Sequence, residues 1–162
     1  MDEQVRAYYE RGVELGRLEQ GYSRIELART KELLDRHLPR PPASLLDVGG
    51  GPGVYAEWLA ERGFQVHLVD GSPLHVEEAR NRSKGRFTAA VGDARALDER
   101  DAAYDAVLLM GPLYHLTERG GRITALREAR RVMRTGGVLV ATAISRFASL
   151  LDGLQGDRKS VV

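Results

Sequence analysis

The stretch Asp47-Val48-Gly49-Gly50-Gly51-Pro52-Gly53 follows the apolar Ser44-Leu45-Leu46 and precedes a helical pattern that begins at Val54. Its order is strand, glycine loop, helix. Three consecutive glycines remove every β-carbon from a tight turn, so a ligand can lie against bare backbone and the N–H groups that open the next helix. A loop of this kind predicts a nucleotide-type cofactor site. The acidic residue that opens it gives the pattern Asp-x-Gly-x-Gly-x-Gly, which favours a cofactor of cationic character over one that presents a pyrophosphate.

The 162 residues and an apolar fraction of 43% suit one globular domain with a core of its own. No apolar run approaches the ~18 residues of a membrane span. The start Met1-Asp2-Glu3-Gln4 is acidic where a signal peptide would be basic and then apolar, so a soluble, cytoplasmic protein is expected. There is no cysteine, and His37, His67, His75 and His115 show no ligand spacing, so no metal site is expected. With 24 basic residues against 23 acidic ones the chain has no large field to gather nucleic acid or an anionic membrane. Arg127, Arg130, Arg131 and Arg134 fall on one helical face, and that face is read as solvated.

Strands and helices alternate along the chain, the pattern of a parallel sheet covered on both sides. Val5, Tyr8, Tyr9 and Val13 space a short amphipathic helix, expected to pack as a lid or collar. A second helix opens with the capping box Ser23 and Glu26, carries Leu27, Thr30, Leu34 and Leu38 on one stripe, and stops at Pro39. Residues 1–43 are thus N-terminal helices and a proline-rich linker. Strands are predicted at 44–48, 65–70, 87–91, 104–110 and 138–144, with helices over 54–62, from the Ser72 cap to about Asn81, and over 122–134. Gly136-Gly137 reads as the stop of the last helix. In such a doubly wound, Rossmann-like α/β sheet, ligands sit beyond the carboxyl ends of the strands, so Gly49, Asp70, Asp93 and Gly111 should converge.

These elements in this order resemble the class I S-adenosylmethionine-dependent methyltransferases. The resemblance is carried by the glycine loop, the acidic end of the second strand, Gly92-Asp93-Ala94 and the strand Tyr104-Asp105-Ala106-Val107-Leu108-Leu109, and it spans about residues 44 to 144. It implies S-adenosylmethionine as cofactor, with the backbone of Gly49, Gly51 and Gly53 holding its methionine part and Asp47, Gly50 and Gly111 also in the binding site. Asp70 would accept both ribose hydroxyls, and Asp93 with the Ala94 N–H would hold the adenine. It also implies seven strands, two more than this chain supplies. His115 and Tyr114, just after the fourth strand, are the candidate catalytic pair, His115 to take a proton and Tyr114 to orient the acceptor. The acceptor is expected to be a small molecule, with no nucleic acid or membrane partner, and the oligomeric state is left open.

Two other readings stand beside this one. Gly51-Pro52-Gly53-Val54-Tyr55-Ala56 also fits G-x-G-x-x-A with Asp70 at the distance of an NAD ribose, as in an NAD-dependent oxidoreductase, although Asp47 would then face a pyrophosphate. The other is a cofactor-binding fragment without turnover. The binding domain is placed at 44–156 and expected to be incomplete. Asp157-Arg158-Lys159-Ser160-Val161-Val162 is the translation of a common sequencing-adapter read, so residues 157–162 are expected not to be gene-derived.

Overall fold

The computed structural model describes residues 23–145 and 147. The expected N-terminal amphipathic helix and the 157–162 tail lie outside the described residues. Five parallel strands form one sheet in the order β3-β2-β1-β4-β5. They are β1 (Ser44–Val48), β2 (Gln65–Asp70), β3 (Thr88–Val91), β4 (Tyr104–Leu109) and β5 (Met133–Ala141). The helices are α1 (Ser23–His37), α2 (Val54–Glu61), α3 (Pro73–Ser83), the single-turn α4 (Pro112–His115) and α5 (Arg119–Val132). This is the expected Rossmann-like doubly wound α/β architecture. Among the described residues no helix is long and apolar enough to cross a membrane.

Strand periodicity divides the core into two layers. Leu45, Val66, Leu68, Ala106 and Leu108 face one way, onto Leu34 of α1, Ala56 and Leu59 of α2 and Ala79 of α3. Leu46, Val48, Val69, Val107 and Leu109 face the other way, onto Ala129 and Val132 of α5. Burial on both faces explains the nearly continuous apolar runs of β1 and β4. The stripe read on α1 is real, with Leu34 fully buried and Leu27, Thr30 and Leu38 partly so.

Several boundaries depart from the sequence reading, among them the end of β5, which stops at Ala141 and not at 144. The last helix begins three residues earlier than expected, takes in Gly120-Gly121, and ends at Val132, ahead of Gly136-Gly137. Its final carbonyls are taken by the neighbouring loop, where Ala102 N–H donates to Arg131 O and Ala103 N–H to Val132 O. Met133 is then already extended and pairs with Tyr104. The glycines instead serve an irregularity inside β5, where five residues advance against two on β4 before Val138 pairs with Ala106. Gly136, at φ +81°, supplies the left-handed turn there. The segment after β4, read as a loop, closes into α4.

Candidate active site

A cleft of about 580 Å³ opens over the carboxyl ends of β1, β2, β3 and β4, where the strand order reverses direction. From β1 it takes Val48 and Gly49, from β2 Val69, Asp70 and Gly71, and from the end of β3 the run Gly92 to Arg95. Gly111, Pro112 and His115 come from the β4 end, and Leu116 to Glu118 with Gly121 close the far wall. The predicted Gly49, Asp70, Asp93, Ala94, Gly111 and His115 therefore share one cavity. Asp47, Gly50, Gly51, Gly53 and Tyr114 do not line it.

The glycines are bare for different reasons. At Gly49, φ is +73° and a β-carbon would come within 2.6 Å of Pro112 Cδ, while one on Gly111 would lie 3.1 Å from the Gly49 carbonyl oxygen. The first and fourth strand ends thus touch, and only glycine lets them. Gly50 seals Asp47 from above, since its β-carbon would fall 2.5 Å from Asp47 Oδ2 and 2.6 Å from Leu68 Cδ1. At Gly51, where φ is +55°, a β-carbon would come no closer than 4.0 Å to the buried His75 Nδ1, so the left-handed backbone and not crowding calls for glycine.

Two carboxylates sit behind this loop. Asp47 shares the parity of Leu45 and is paired on either side with Leu68 and Leu108, so it points into the apolar layer toward α2 and α3. It is 1% exposed, and its Oδ2 has no hydrogen-bond partner among the described residues. Burial, followed by the nearby Asp70 charge, pushes its carboxyl up to about 7. Asp70 ends β2 on the same face. Its Oδ2 accepts from Gly51 N–H at 2.9 Å and its Oδ1 from Ser72 N–H at 2.8 Å. Oδ2 keeps a further lone pair for a ligand, and Oδ1 also faces His75 Nδ1 at 3.4 Å.

At the end of β3, Asp93 Oδ1 accepts from both Nε and the backbone N–H of Arg95, and Oδ2 accepts from Arg95 Nη2 at 2.6 Å. The guanidinium holds the Asp93 carboxyl at about 2, below its ordinary range. Arg95 escaped the sequence reading, although its place two residues after Asp93 in a predicted turn was a usable signal. His115 lies on the cleft wall with its ring centroid 4.8 Å from that of Tyr114. The Tyr114 hydroxyl is turned away and donates to Met110 O at 3.1 Å. Of the four arginines read as one helical face, Arg127 and Arg130 are exposed on α5, Arg131 is engaged in ion pairs, and Arg134 belongs to β5. Arg131 is bound to Glu128, Asp101 and the carbonyls of Leu97 and Glu99, and Arg134 is paired with Asp105.

Residues 45–137, more than half of the chain, match the family model described as a methyltransferase domain. The chain belongs to the class I S-adenosylmethionine-dependent methyltransferases. A ubiquinone biosynthesis O-methyltransferase of Methylocella silvestris is 33% identical over 117 residues, covering 69% of this chain and 44% of that protein. A ubiquinone/menaquinone biosynthesis C-methyltransferase of Acidiphilium cryptum is 36% identical over 115 residues, 67% of this chain and 45% of that protein. The methyltransferase thus spans less than half the length of these two relatives. Among solved structures, the PH0226 protein of Pyrococcus horikoshii matches with a TM-score of 0.74 at 26% identity, over 92% of this chain and 70% of that one.

Proposed function

We propose that the cleft binds S-adenosylmethionine and that the domain transfers its methyl group to a small-molecule acceptor. The observation that carries the cofactor assignment is the pair of carboxylates behind the glycine loop. A dinucleotide would lay its pyrophosphate against the loop's free N–H groups. Here Gly51 N–H is already donated to Asp70, Gly53 N–H to Gly50 O, and Asp47 and Asp70 stand directly behind. That field disfavours phosphate and favours a ligand carrying positive charge.

The geometry fits such a ligand. The bare Gly49 and Gly111 admit the amino-acid part, with the Asp70 carboxylate beside them. The Asp70 carboxylate receives the ribose hydroxyls, and Asp93 with Ala94 N–H lies one strand further out for the adenine. When bound, the cofactor supplies a methyl group already activated on a sulfonium sulfur. What this chain contributes is position and exclusion of water, which for an in-line displacement provide most of the acceleration. His115 faces the same cavity and takes the acceptor's proton. Tyr114, anchored to Met110 O, packs against the His115 ring and holds it in place.

A small-molecule acceptor is supported by the near-balanced charge of the chain and by the quinone-biosynthesis names of the two relatives. Titration calorimetry tests the assignment. S-adenosylmethionine and S-adenosylhomocysteine should bind and NAD should not, and Asp70→Ala should weaken binding by about 2 to 4 kcal/mol. A preference for NAD would overturn the reading in favour of an oxidoreductase.

A further inference from the structure

His75 is a buried titratable group that the proposed chemistry leaves unused. It sits in the first turn of α3, 2% exposed, two residues after the helix-opening Pro73. Its backbone N–H is directed at the Ser72 hydroxyl, 3.4 Å away, which fixes where the residue enters the helix. The imidazole Nδ1 lies 3.4 Å from Asp70 Oδ1, and the ring also underlies Gly51, whose outward β-carbon position is 4.0 Å from the same nitrogen. One side chain therefore stands against the acidic end of β2 and on the side of Gly51 where a side chain would project.

Asp70 has little freedom of its own to spare. Its side chain is 11% exposed and bound by Gly51 N–H on one oxygen and Ser72 N–H on the other. These two bonds hold the oxygens from the glycine loop on one side and from the residue's own β2–α3 turn on the other. His75 meets Asp70 Oδ1 from a third direction, beside the Gly51 turn that binds Oδ2, so it bears on the tilt of the carboxylate plane. A bidentate acceptor of two vicinal hydroxyls depends on that plane, because a tilt that preserves one hydrogen bond lengthens the other.

We propose that His75 is a positioning residue for ribose recognition, fixing the Asp70 carboxylate against the Gly51 turn so that both oxygens face the two ribose hydroxyls. The proposal rests on the cofactor reading above and extends it to a residue outside the cleft wall. It requires that the benefit of His75 be confined to ligands that carry the hydroxyls.

Calorimetry with adenosine and with its dideoxy analogue lacking both ribose hydroxyls tests this, alongside S-adenosylhomocysteine, on the full chain. His75→Leu should weaken adenosine and S-adenosylhomocysteine by about threefold to tenfold while leaving the dideoxy analogue unchanged. His75→Asn, whose amide nitrogen occupies the place of Nδ1, should keep wild-type affinity, and His75→Gln, whose amide lies further out, should not. The Asn and Gln pair carries the test if the Leu variant fails to fold. An equal loss for both nucleosides, or a Gln variant as tight as Asn, would make His75 a packing residue and overturn the proposal. Wild-type protein that binds neither adenosine nor S-adenosylhomocysteine would instead overturn the cofactor reading itself.

Discussion

Asp47 shows at the scale of one residue how a binding loop is kept in tension with the core beneath it. Its carboxyl is raised from 3.8 to about 7 chiefly by burial among Leu68 and Leu108 and secondly by Asp70. Between about pH 4 and pH 7 the folded chain holds a proton on Asp47 that the unfolded chain has released. Stability contributed by this group is therefore undiminished below pH 4 and falls as pH rises, with the full penalty, on the order of 4 kcal/mol, present above pH 7. Replacing Asp47 by Asn should flatten that decline, leaving the variant more stable than wild type at pH 8 and nearly equal at pH 4. Urea unfolding of both proteins at the two pH values measures it, and a variant weaker than wild type at pH 8 would show that the carboxylate is compensated in the folded state. Gly50 belongs to the same account. Gly50→Ala drives a methyl against Asp47 Oδ2 and Leu68 Cδ1, a cost of about 1 to 3 kcal/mol that circular dichroism melts should register.

Among the elements, the turn from β2 into α3 joins structure to site most directly. Ser72 caps α3 through its hydroxyl, Pro73 starts it, and the Ser72 N–H binds Asp70, so side chain and backbone of one residue serve different ends. Ser72→Ala removes the cap and keeps the N–H. It should lower stability by about 1 kcal/mol in denaturant unfolding and change cofactor affinity little. A large loss of affinity with unchanged stability would reverse those roles. This turn was legible in the sequence because Asp70, Ser72 and Pro73 each carry a local signal, as do the strand periods of β1, β2 and β4 and the Gly49 loop. The start of β5 was not legible. Gly136-Gly137 has the local look of a helix end, yet α5 is stopped earlier by hydrogen bonds from Ala102 and Ala103, residues some thirty positions away. The convergence of Gly49, Asp70, Asp93 and Gly111 followed from topology, whereas the Arg95 clamp on Asp93 and the contact of Pro112 with Gly49 depend on side-chain approach that no spacing encodes.

Taken as a whole, the molecule builds its cleft from segments far apart in the chain and on both sides of the sheet's midline. The β1 loop, the β2 end, the β3 turn and the α4 segment each supply one wall, and few hydrogen bonds link the walls directly, Gly51 N–H to Asp70 and Gly92 N–H to Asp70 O being two that do. A ligand that spans the cleft therefore adds ties among elements otherwise joined through the sheet and these few bonds. Binding to the folded state alone at a hundred times the dissociation constant adds about 2.7 kcal/mol, which for a chain of this size corresponds to a rise in Tm of about 5 to 10 °C. S-adenosylhomocysteine should produce that rise, growing with the logarithm of its concentration. Hydrogen exchange should slow together at residues 49–53, 92–95 and 115–121, because all of them must stay in place for the ligand to stay bound. The ion-pair cluster of Arg82 and Arg86 with Glu57 and Glu61, whose residues are absent from the cleft lining, should exchange as before. Slowing confined to the glycine loop would mean that the ligand rests on one wall, and the adenine assignment to Asp93 and Ala94 would then fail.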